Sequence, residues 1–179
     1  IMKWLPIAEQ FHSSCLFKEV KNAAQAFAII QYGAEIGLSP ILSLQNIFII
    51  SGRLSIGTQV MLSIAASHGV TWQVIEENEK RCVIDFRKGD ITYRSIFTIE
   101  DATALQLTGR DQWKKQLVNM LYQRAASKGA KRIDPGCASG MYSPDETRDI
   151  VDHQGFDNAK PIDANVIQPE PEKPPDEKF

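Results

Sequence analysis

Apolar and polar positions along the 179-residue chain alternate between a helical and a strand-like period. Residues 21 to 37, KNAAQAFAIIQYGAEIG, repeat apolar positions at helical spacing through Ala24, Phe27, Ile30 (or Ala28) and Ala34. Gly37 ahead of Ser39-Pro40 reads as a helix stop. A weaker amphipathic segment around Ile7 to Cys15 predicts a helix in front of it. Ile47 to Ile50 and Leu54 to Ile56 flank Ser51-Gly52-Arg53, the pattern of a β-hairpin with its turn at Ser51-Gly52. Thr58 to His68 predicts a short helix closed by Gly69.

The period then becomes two. Thr71 to Glu77 and Arg81 to Arg87 alternate around the turn Asn78-Glu79-Lys80, and Ile91 to Thr98 follows across Lys88-Gly89-Asp90. Three such runs in sequence predict an antiparallel meander. Ile99 to Leu107 starts as a short helix with Glu100 and Asp101 in its first turn, where the helix dipole favours negative charge. Trp113 to Lys131 predicts one long helix. The fold class is therefore α+β: N-terminal helices, a β-hairpin, a three-stranded antiparallel meander and a long C-terminal basic helix.

Charge changes this picture. Between Arg110 and Arg132 stand seven cations and one acid, Asp111, in a chain of net charge −2. Residues 1 to 135 carry 16 Lys+Arg against 12 Asp+Glu, and residues 136 to 179 carry 4 against 10. A basic body and an acidic tail fit a polyanionic partner, since phosphate neutralisation with counterion release drives nucleic-acid affinity. A solvated helix face is the simpler alternative. On the basic helix, the stripe Trp113, Leu117, Leu121 continues as Arg124, Lys128 and Lys131/Arg132, changing from apolar to cationic halfway along. Gln112, Gln116, Asn119 and Gln123 form a neutral hydrogen-bonding face opposite. This arrangement predicts a core-packed first half and a second half that aims cations into a groove.

Length allows one domain with a core of its own. We expect residues 1–153 to form it, with 154–179 as an acidic, Pro-rich disordered tail. Residues 157 to 179 hold five of the nine prolines and few aromatic groups, too little apolar surface to offset the entropy of ordering. Such a tail competes with nucleic acid for the basic surface, recruits a partner through Phe179, or links to a further module. Composition leaves all three open. No apolar run approaches the roughly 20 residues of a membrane span, and IMKWLPIAEQ lacks the features of a signal peptide, so a cytoplasmic protein away from membranes is expected. The start at Ile1, with Met2 behind it, reads as trimmed or as a tag remnant. Cys15, Cys82 and Cys137 are odd in number and far apart, as reduced thiols would be.

Two strings carry a family resemblance. WKKQLVNMLYQRAASKGAKRIDPGCASGMYSPDE resembles the C-terminal core signature of the RecT/Redβ family of phage-type single-strand annealing recombinases: a Trp, a basic helix containing Met-Leu and small residues, a Gly, and a Tyr-Ser-Pro-Asp-Glu end. AAQAFAIIQYGAEIGLSPILSLQNIFIISGRLSIGTQVML is similar to the family's helix, Gly-Leu-x-Pro turn, hairpin with central Gly-Arg, and Met-Leu helix. Together they span roughly residues 20 to 147, in order, with the meander between them.

The resemblance implies a homo-oligomeric ring or helical filament that binds single-stranded DNA and pairs complementary strands into annealed duplex without ATP, hence no enzyme. It implies no cofactor, with Mg2+ only as an aid to annealing, and an exonuclease or host single-strand-binding protein as partner. Such a protein needs a positive groove that holds the backbone and leaves base edges free. Arg53, Lys114, Lys115, Arg124, Lys128 and Lys131 are the candidate phosphate contacts, with Asn119 and Gln123 as hydrogen-bonding partners. Trp113 and Tyr122 are available for stacking, although core packing is the better account of Trp113.

Other chemistry is less supported. The chain has no Gly-x-x-x-x-Gly-Lys-Ser/Thr phosphate loop. His12 and Cys15 have metal-like spacing, but His68, His153, Cys82 and Cys137 form no second pair. Asp85, Asp90 and the Glu77 to Lys80 turn are the raw material of a metal-dependent nuclease, the alternative enzyme reading. A non-catalytic partner-binding protein acting through the acidic tail is the third.

Overall fold

The computed structural model describes residues 4–14 and 16–154. Of the predicted tail, Gln154 closes the last described helix, and residues 155–179, like Cys15, lie outside the described residues. The architecture is α+β, with a two-stranded hairpin and a separate three-stranded antiparallel sheet. Helix α1 spans Leu5–Ser13 and α2 spans Ala23–Glu35. Asn22 caps α2 by accepting a hydrogen bond from the Gln25 N–H at 2.8 Å, satisfying one of the helix's open donors. The buried face of α2 is Ala26, Ile29, Ile30 and Gly33; of the predicted line, Ile30 is buried, Phe27 and Ala34 are half-buried, and Ala24 and Ala28 are exposed. Gly33 sets this phase. A Cβ there would stand 1.8 Å from Ser43 Oγ, so the glycine marks where the next helix crosses.

That helix, α3 (Pro40–Asn46), occupies the segment after the predicted stop. Ser39 is its N-cap and Pro40 its first residue, so the Ser-Pro pair both follows one helix and starts another. The chain passes directly into β1 (Ile47–Ile50) and β2 (Arg53–Ile56), paired Ile47 to Ile56 through Ile50 to Arg53. Ser51 and Gly52 have φ of 47° and 78°, the left-handed pair that a tight hairpin turn requires. Helix α4 (Thr58–Ser67) begins immediately after β2.

Strands β3 (Val70–Glu77), β4 (Arg81–Lys88) and β5 (Ile91–Thr98) form the meander, with a bulge between Val74 and Glu76. Cys82, Ile84 and Phe86 alternate inward along β4 and join Ser95 and Phe97 of β5 in the core. Helix α5 (Ile99–Ala104) is held by a capping box between Thr98 and Asp101. The basic segment is not one helix. It forms α6 (Asp111–Lys115) and α7 (Leu117–Ile133), broken at Gln116, whose φ and ψ are −140° and 46°. The break lets Trp113, 1% exposed, enter the core beside Phe97 with ring centroids 6.2 Å apart. Helix α7 then lies across the sheet on a different line, burying Leu121, Ala125 and Gly129. A Cβ on Gly129 would meet Phe86 Cε2 at 2.0 Å, and Ser95 Oγ donates to the Ala125 carbonyl at 2.7 Å. A 3-10 turn at Pro135–Cys137 leads towards α8 (Pro144–Gln154).

No single described helix is long and apolar enough to cross a membrane; α2 and α3 together reach the length only across a 109° bend. Their apolar residues Ile29, Ile30 and Leu44 are buried in the core.

Candidate nucleic-acid interface

The second half of α7 is cationic, and α8 supplies its counter-charges. Arg124 is 7% exposed. Its guanidinium donates to Asp145 at 2.9 Å through Nε and also to Asp149. Arg110 extends the network, reaching Asp149 at 2.5 Å and Asp152 at 2.7 Å. Lys131 donates to both Glu146 oxygens, at 2.8 and 2.7 Å, and sits 4.8 Å from the Tyr142 ring centroid. Burial pushes the Glu146 carboxyl up, but Lys131 and the donors from Ser143 and Ser127 outweigh it, so its pKa lies below the ordinary value. Two carboxylates per guanidinium with charge-assisted bonds make these contacts among the stronger ones a protein can form.

The expected cationic wall is corrected accordingly. Arg124 and Lys131 turn to the acids of α8 rather than to an open groove. Lys128 is exposed and donates to the Ile96 carbonyl at 3.1 Å. Arg53 is exposed on β2, opposite Ile50. Lys114 and Lys115 are exposed on α6.

Helix α8 also ties α7 to the hairpin. Ser55 Oγ donates to Thr147 Oγ1 at 2.8 Å in a buried contact, and the Ile56 N–H donates to the Tyr142 carbonyl at 3.0 Å. The hairpin, the start of α4, α6–α7 and the start of α8 therefore line an open cleft of about 340 Å3. One wall is the predicted neutral face: Gln112, Gln116, Asn119 and Gln123. Asn46, Phe48 and the Gly57-Thr58-Gln59 helix start form the other, and Asp145 and Arg148 close one end. Asn119 Nδ2 donates to Gln116 Oε1 at 3.2 Å, so the amides of this wall are mutually oriented.

Of the predicted residues, Asn119, Gln123 and Arg124 line this cleft, Lys114 and Lys115 follow Gln112 on α6, and Arg53, Lys128 and Lys131 are not among its lining residues. Phe48, Thr58, Gln59 and Arg148 were not anticipated. The sequence signal for Arg148 was its place as the lone cation among Asp145, Glu146, Asp149 and Asp152. Arg148 is exposed and makes no ion pair among the described residues.

Of the candidates for other chemistry, Asp85 has a structural partner, and in the Glu77 to Lys80 turn Asn78 Oδ1 accepts from the Lys80 and Arg81 N–H groups. Asp85 is held by Arg94 in a two-bond pair of 2.6 and 2.7 Å, and Glu76 by Arg81. Among the described residues no three His, Cys, Asp or Glu side chains gather where a metal ion could be held. His68 Nδ1 lies 2.7 Å from Asp134, which also receives Lys88 Nζ at 3.0 Å. Burial pushes the Cys82 and Cys137 thiols up to about 11, which makes them poor nucleophiles. Tyr122 is half-buried and packs against the core. No family model, curated protein or solved structure matches this chain.

Proposed function

We propose that this chain binds single-stranded DNA and promotes ATP-independent annealing of complementary strands as a homo-oligomer, in the manner of the RecT/Redβ recombinases its motifs resemble. The observation that carries the reading is the amide-walled cleft flanked by exposed cations. Annealing requires a backbone held without capture of the base edges. Neutral donors such as Asn119 and Gln123 hold phosphate or sugar oxygens reversibly, while exposed Lys114, Lys115 and Arg148 supply the counterion-release term. Phe48 offers a face on which a base stacks irrespective of its identity. Arg53 and Lys128 extend the cationic surface beyond the cleft, and Arg124 and Lys131 brace α8, which forms one end of it.

The test is anisotropy of a labelled oligothymidylate titrated at several salt concentrations, paired with annealing of complementary oligonucleotides without nucleotide cofactor. Binding that weakens with salt, annealing without ATP, and loss of both in Lys114→Gln/Lys115→Gln/Arg148→Gln are expected. A monomer that ignores single strands at low salt sinks the reading.

A further inference from the structure

The start of α4 lines the cleft without a side-chain cap. The helix is ten residues long, its N-cap is Gly57 with no side-chain cap, and its first turn carries no acid. The N–H groups of Thr58 and Gln59 find no acceptor among the described residues. Free N–H groups and the positive end of the helix dipole make such a terminus a ready anion seat. A second observation points the same way. Thr58 is only 5% exposed, lines the cleft, and its hydroxyl has no partner among the described residues. The hydroxyl is not one of the sealed side-chain atoms that lack a partner, which are Gln31 Oε1 and Trp113 Nε1 among the described residues, so it is open to solvent and free to donate to a ligand. Arg148, exposed and without an ion-pair partner, lines the same cleft from α8. Asp145 is the acid at this end, and Arg124 holds its charge at 2.8 Å. Phe48, half-buried, stands on the wall formed by the preceding hairpin.

Resting on the single-strand reading above, we propose that the α4 N-terminus is a seat for one backbone phosphate. The N–H groups of Thr58 and Gln59 and the Thr58 hydroxyl donate to its oxygens, Arg148 supplies the counter-charge, and the adjoining base stacks on Phe48. The seat fixes the register of the strand along the amide wall, because a single phosphate held by directional donors cannot slide freely.

The experiment uses the full chain labelled with 15N, titrated first with inorganic phosphate and then with oligothymidylate. The expected result is saturable movement of the Thr58 and Gln59 amide signals by both ligands. Removing one charge-assisted contact weakens binding by about tenfold, so Thr58→Val and Arg148→Gln each shift the phosphate midpoint by about that factor, while urea midpoints stay near that of the parent. Oligothymidylate that binds without moving these amides overturns the seat and leaves the broader reading standing. Phosphate that moves them in a protein indifferent to oligothymidylate sinks the single-strand reading and keeps an anion seat. Phosphate movement that is unchanged in both variants also overturns the proposal.

Discussion

Replacing Arg124 with alanine separates an internal brace from a DNA contact. The side chain is 7% exposed and lies between Asp145 and Asp149, themselves 14% and 13% exposed at the side chain. Truncation leaves two shielded carboxylates facing each other, with only Arg110 left to one of them. Breaking a buried pair by removing one partner costs about 3–5 kcal/mol. For a domain of this size each kcal/mol lowers Tm by about 2–4 °C, giving a fall of roughly 10 °C. Urea and thermal unfolding read the loss directly.

A second variant distinguishes the mechanisms. Arg124→Met with Asp145→Asn and Asp149→Asn removes charge from both sides, and exchange of a buried ionic group for neutral packing is often close to neutral. The triple variant should recover most of the lost Tm. Should Arg124→Ala melt within about 2 °C of the parent while losing single-strand affinity, the side chain is a phosphate contact and not a brace.

Lys114→Gln/Lys115→Gln should leave Tm unchanged and reduce the dependence of log Kobs on log salt by about 1.4, since each phosphate contact to a single strand contributes about 0.7; an unchanged slope excludes both lysines from the interface. Glu146 has a folded pKa held below its ordinary value of 4.5, so its contribution is present above the unfolded value and lost as pH falls through the folded one. Urea midpoints measured from neutral pH into acid should fall in that window, and Glu146→Gln should flatten the fall. Gly129→Ala gains about 1 kcal/mol of helix propensity but drives a methyl to 2.0 Å from Phe86; overpacking should win, with a net loss of about 1–2 kcal/mol in urea unfolding. Phe86→Leu combined with Gly129→Ala should cost less than the sum of the two single changes, and additivity would exclude the clash.

Elements with an unbroken period were legible in the sequence. The meander follows the alternating runs with ends shifted by a residue, and the Ser51-Gly52 turn and the core position of Trp113 follow from local chemistry alone. Errors arose where one residue serves two elements. Ser39-Pro40 is a stop for α2 and a start for α3. Gly33, counted as neither apolar nor polar, lies on the buried face of α2 where a Cβ would meet Ser43 Oγ at 1.8 Å. Gln116 sits in a continuous amphipathic string, and the break there reflects Trp113 entering the core beside Phe97. No periodicity in one segment encodes that demand from another.

The sequence placed Gln112, Gln116, Asn119 and Gln123 on one face, and they do line one cleft, but it did not show that Arg124 and Lys131 are paired with acids, and the reason is electrostatic. A stripe of cations has no meaning until its counter-charges are placed, because a guanidinium facing two carboxylates contributes little field beyond them. The acids that neutralise Arg110, Arg124 and Lys131 lie 15 to 42 residues further along the chain, on α8. Summed along the sequence they belonged to the acidic C-terminal part; in space they sit against the basic helix. What remains unneutralised at the cleft is the amide wall, the open start of α4 and Arg148. On the function proposed above, such a surface holds a polyanion through directional donors with a few point charges at its rim. Its affinity should therefore depend less steeply on salt than the seven cations between Arg110 and Arg132 alone would dictate.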